Sequence, residues 1–178
     1  YFAAGSIGMG HSLSFQLCTV ICTRALHKDM RQPLATVDDY LVAAGSLDKA
    51  LLPLGFLLAF CAQHQLMSQQ FISQYAQQLS AVRLQEGRVS SLFAAHGAAL
   101  HEEDFTPTGA AFVGQCLPCL AEDFAQTFGP DCYEIEDQWE NYQQLAKVLV
   151  RRLLGAPVRR GESGFFAGLV KGVKKLWR

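Results

Sequence analysis

His96 closes an apolar turn, "SSLFAAHG", before a charged break and a new apolar run that starts at Phe105. An imidazole in that place can ligate a metal through one ring nitrogen, or it can simply end a helix as a hydrogen-bonded core residue. Leu92 lies one helical turn before it, with Val89 and Phe93 alongside, so the ring is expected to look inward. His64 stands 32 residues earlier in a glutamine-rich tract, where it is either a second ligand or an ordinary polar residue. His11, His27 and His101 have polar or charged neighbours and are expected in water. Six cysteines add thiol chemistry: Cys18 with Cys22 and Cys116 with Cys119 each share a helix face, while Cys61 and Cys132 stand alone. The surroundings "SFQLCTVICTRAL" and "GQCLPCLAEDF" lack the turns of a zinc knuckle. Reduced, buried thiols of an intracellular protein are therefore expected, with a thiol metal or redox site as the competing reading.

Helical elements must position these groups. Apolar residues recur at helical spacing and no stretch alternates cleanly over strand length. The pattern predicts helices over 11–30, 36–44, 47–64, 66–81, 86–96, 104–127, 134–154 and 163–177. Breaks fall at "MRQP", "AAGSLD", "FGPD" and "GAPVRRGES". A chain of 178 residues suits one domain with a real core. The expectation is an all-α fold: a helical domain over 1–154, a linker over 155–163 and a basic amphipathic helix over 164–178.

Two stripes follow the histidine. Phe105, Gly109, Phe112 and either Cys116 or Leu117 line one face, and Trp139, Tyr142, Leu145 with Ala146, Leu149 and Leu153 line another. Helix, histidine, short break and two long helices in this order resemble the C-terminal half of the globin family over roughly residues 64–154. The resemblance implies a globin-like haem protein with His96 as the proximal iron ligand. It puts Leu92 one turn before that ligand and Phe105, Gly109 and Phe112 against the haem. Two distal registers stay open: His64 as a second axial ligand, or Met67 at that position with Phe71, Ile72 and Tyr75 lining the pocket. Ser90 or Ser91 would anchor the other nitrogen of the proximal ring. The implied function is binding of oxygen or another diatomic gas, for sensing or redox chemistry.

Charge separates the ends of the chain. The formal net charge is −1, yet residues 151–178 carry eight basic side chains against Glu162, about +7, and residues 1–150 about −8. "FFAGLVKGVKKLWR" places Phe165, Phe166, Leu169, Val170, Val173, Leu176 and Trp177 opposite Lys171, Lys174, Lys175 and Arg178. Such a face suits an anionic membrane surface or the groove of an acidic protein, so the alternative function is a cofactor-free interaction module docking through this segment. No apolar run reaches the roughly 18–20 residues needed to span a bilayer, and no signal peptide is read. A cytoplasmic place, peripheral to membranes at most, is expected. The charge pattern argues against a nucleic-acid partner, and no P-loop, dinucleotide fingerprint or nucleophile elbow is present.

Overall fold

The segment "LDKALLPLGFLLAFCAQ" is apolar on nearly every side, and such a helix is stable only when surrounded. In the computed structural model, which describes residues 32–155, it forms the axis of the domain. The compact unit that holds these elements begins at Leu34. Its elements run β1 (Ala35–Thr36), α1 (Asp38–Ala44), α2 (Leu47–Gln63), α3 (Gln69–Gln74), α4 (Ala76–Leu84), α5 (Ser91–Ala95), β2 (Ala99–Leu100), α6 (Pro107–Phe128) and α7 (Trp139–Leu153). Single 3-10 turns cover Glu102–Asp104 and Cys132–Glu134. The fold is all-α. β1 and β2 pair antiparallel over only two residues each, Ala35 with Leu100 and Thr36 with Ala99.

α2 is buried from Ala50 to Ala62, and α1, α4, α5, α6 and α7 all pack on it. Phe56 sits between Phe124 and Tyr142, edge to face with each at 6.0 Å between ring centroids. Phe60 stacks on Phe112 at 5.5 Å. The Tyr142 hydroxyl donates to Gln63 Oε1 at 2.6 Å, so the buried phenol has a partner. α6 starts where the sequence supplies a cap: the Thr106 hydroxyl accepts from the Gly109 N–H, and Pro107 stands at the first helical position, where its missing N–H costs nothing. α6 and α7 are locked by the Arg152 guanidinium, which donates Nε and Nη2 to the two oxygens of buried Asp123 at 2.6 and 2.7 Å.

The expected helices over 36–44, 47–64 and 104–127 agree with α1, α2 and α6 to within three residues. Three others differ. The helix expected over 66–81 starts later, after Ser68, whose side chain caps the Phe71 N–H; it then breaks at Tyr75 and continues to Leu84. The one over 86–96 shrinks to α5, because 85–90 turns back on itself through Gln85 and Gly87, both at positive φ. The one over 134–154 begins only at Trp139, which leaves the acids at 134–137 outside α7. The helices expected over 11–30 and 163–177 lie outside the described residues, as does all of the expected linker over 155–163 beyond its first residue. No helix among the described residues is long and apolar enough to cross a membrane.

Candidate functional site

His96 caps the C-terminal end of α5, and its ring is indeed turned inward, with 11 % of the side chain exposed. Nε2 lies 2.8 Å from Asp104 Oδ2 and Nδ1 lies 3.1 Å from the Tyr75 hydroxyl. With Asp104 ionised, Nε2–H donates to the carboxylate and Nδ1 accepts from Tyr75, so both nitrogens of a neutral ring are used. The same Asp104 oxygen accepts from the His101 backbone N–H at 2.6 Å. His101 is half-buried rather than solvated: its side chain accepts from the Asp104 backbone N–H, closing a reciprocal cap, and its ring stands 6.3 Å from that of His96. Phe71 meets His96 edge-on at 5.0 Å. The cluster ties the α3–α4 junction, the end of α5 and the 101–105 turn together.

A haem does not fit these residues. The face of α6 that the globin resemblance gives to the porphyrin is covered by backbone. A Cβ placed on Gly109 would stand 2.2 Å from the Leu66 carbonyl oxygen. Thr106 N–H donates to that same oxygen, Ser68 N–H donates to Asp104 O, and Met67 bridges Phe105. Met67, Phe71, Leu92, Phe105 and Phe112 are all buried against protein, at 5 % exposure or less. His64 ends α2 on the surface with its ring on Phe60 at 4.1 Å, where burial lowers its pKa. Ser90 and Ser91 do not anchor the His96 ring; Asp104 and Tyr75 do.

The thiols of Cys61, Cys116 and Cys132 are buried and that of Cys119 is half-buried, all of them free. Burial pushes Cys61 far above the ordinary thiol range and Cys116 up to about 12, which keeps both as unreactive thiols. Among the described residues no three histidine, cysteine or acidic side chains gather as a metal site; Cys18 and Cys22 lie outside those residues.

An open site lies elsewhere. The first turns of α2, the start of α5 and the segment 135–138 wall a cavity of about 500 Å³. Its shape depends on two stitches between loops distant in sequence. Asp137 takes both the Ser90 N–H, at 3.2 Å, and the Ser90 hydroxyl, at 2.5 Å. Trp139 Nε1 donates to Gly87 O at 3.0 Å. Ser90 in turn presses on Gly55 of α2, where an added Cβ would stand 2.7 Å from the serine Cβ, so only glycine lets α2 and α5 approach this closely. Leu51, Leu52, Ala94 and Ile135 supply apolar wall, and Asp48, Arg88 and Glu136 supply charge. These residues are far apart in sequence and carry no motif. The one available signal was the acid-rich tract "EIED" at 134–137, which reads equally well as a helix N-terminus.

The molecule is thus an all-α domain with a closed histidine cluster and an open, charged cavity. A family model described as a domain of unknown function, DUF7832, matches residues 39–138, more than half of the chain, and the chain belongs to that family. This corrects the globin resemblance: of the residues that carried it, roughly 64–154, those up to 138 are matched by DUF7832, and no globin family matches. Neither the curated proteins nor the solved structures yield a match. The cavity wall, from Asp48 to Gln138, lies wholly within the matched segment, whereas α7 and the basic tail lie beyond it.

Proposed function

We propose that this chain is a helical ligand-binding domain whose site is the cavity between α2, α5 and the segment before α7, and that it works without haem. One observation carries the reading: the polar groups around His96 are spent on one another, while the cavity is open and its Asp48, Arg88 and Glu136 have no ion-pair partner among the described residues. Its volume of about 500 Å³ lies in the range of small-molecule sites, roughly 300–1,000 Å³. The test is thermal unfolding of the full chain against a panel of amino acids, carboxylates, amines and nucleosides, repeated on Ala94→Trp. Ala94 is exposed on the cavity wall, so the indole fills the space without entering the core. A compound that raises Tm in the parent and not in the variant supports the reading. A panel with no effect on the parent contradicts it.

Charge favours a second reading for the tail. Residues 32–155 hold six basic and fourteen acidic side chains, net −8, whereas 156–178 hold six basic and one acidic, net +5. We propose that the tail docks on an anionic membrane, with Phe165, Phe166 and Trp177 at the lipid interface and the acidic domain held off the surface by the linker. Sedimentation with phosphatidylserine-containing vesicles, lost when the chain is cut at residue 160, supports this. Equal sedimentation with and without the tail contradicts it, as does none at all.

A further inference from the structure

The charges around the cavity do not cancel, and what is left over specifies a ligand. Lys49 is taken by Glu134, with Nζ to Oε1 at 2.5 Å. Both oxygens of Asp137 are taken by Ser90. Arg88 and Asp48 make no ion pair among the described residues. Glu136 receives only the Gln138 amide on Oε2, which leaves its negative charge uncompensated. The walls therefore carry one guanidinium and two carboxylates without an ion-pair partner among the described residues, around the apolar side chains of Leu51, Leu52, Ala94 and Ile135. The complement is a small molecule with one carboxylate, two cationic groups and a methylene stem between them.

Resting on the ligand-binding reading above, we infer that the cavity binds a free basic amino acid, lysine or arginine. The ligand carboxylate pairs with Arg88, whose planar fork matches it in two parallel hydrogen bonds. The α-ammonium and the side-chain cation pair with Asp48 and Glu136, and the stem covers the apolar wall. The net −8 of the described domain attracts a ligand of net charge +1 from a distance. A basic residue at the C-terminal end of a peptide has only one cation, since its α-nitrogen is an amide, and leaves one carboxylate unanswered.

Calorimetric titration of the full chain with L-arginine and L-lysine tests this, beside norleucine, agmatine and Nα-acetyl-L-arginine. Norleucine lacks the side-chain cation, agmatine the carboxylate and the acetyl compound the α-ammonium. Binding of the two basic amino acids, at least about tenfold weaker for each of the three analogues and in Arg88→Ala and Asp48→Asn, is the expected result. Arg88 and Asp48 are exposed, so neither variant disturbs the core. Analogues that bind as well as arginine overturn the assignment. If arginine and lysine do not bind while another member of the panel raises Tm in the parent but not in Ala94→Trp, the basic amino acid is wrong and the cavity stands. If nothing binds, both fall.

Discussion

The histidine cluster and the cavity are built from the same kinds of residue, and they end in opposite states. Around His96, an imidazole, a carboxylate, a phenol and a backbone N–H satisfy one another, with Phe71 against the ring and little of His96 or Asp104 exposed. Around Arg88, Lys49 pairs with Glu134 and Asp137 accepts from Ser90, which leaves Asp48, Arg88 and Glu136 on the cavity wall without an ion-pair partner among the described residues. Buried polar groups must be satisfied or the fold loses stability, so the first arrangement holds the structure together. Groups at an open wall are kept solvated by water at little cost, so the second is free to receive something else. A histidine in an apolar setting is thus weak evidence of chemistry until its second nitrogen is accounted for.

Single substitutions perturb the cluster and the cavity separately. Asp104→Ala has the largest expected effect: it leaves the His96 Nε2 and the His101 N–H without their acceptor, and stability falls by about 3 kcal/mol, read by urea unfolding. A loss below about 0.5 kcal/mol would mean that the cluster does not hold the fold. Alkaline titration tests the closed interior more broadly. Burial pushes the Tyr40 phenol up to about 12 and raises Tyr142 further. The unfolded chain releases these protons near pH 10 and the native state retains them, so stability present below pH 10 is lost as pH rises from about 10 to 12 and beyond. The loss is on the order of 2 kcal/mol per phenol, and a stability curve that is flat across that window would contradict it. Tyr75→Phe removes a single hydrogen bond to His96 and costs about 1 kcal/mol by the same unfolding assay. Arg88→Ala changes stability by less than about 0.5 kcal/mol in either direction while abolishing tight ligand binding. A large destabilisation there would show that Arg88 is part of the scaffold and not of the site.

Much of the fold was legible in the residues. The unbroken apolar run of α2, the cap "TPTG" of α6 and the stripe of Trp139, Tyr142, Leu145 and Leu149 on α7 each specify a helix and its buried face through local pattern alone. The break at Tyr75 was not legible, because the ring is held by His96, a contact 21 residues away. Nor were the paired β1 and β2, two residues each and fixed only by meeting one another. The globin resemblance rested on residues that are indeed buried, but as ordinary core: a helical stripe of Phe, Gly and Phe packs a neighbouring chain segment as readily as a flat cofactor. The cavity depends on Asp137 finding Ser90 and Trp139 finding Gly87, both pairings between distant loops. Periodicity carries no information about such contacts.

The most direct test is a titration of isotope-labelled protein with L-arginine followed by amide chemical shifts. The largest changes are expected on Asp48, Arg88, Ala94 and Glu136, at the cavity wall, while His96, Tyr75 and Asp104 stay in place. Shifts centred on His96 and Tyr75, or no shifts at millimolar ligand, would contradict it.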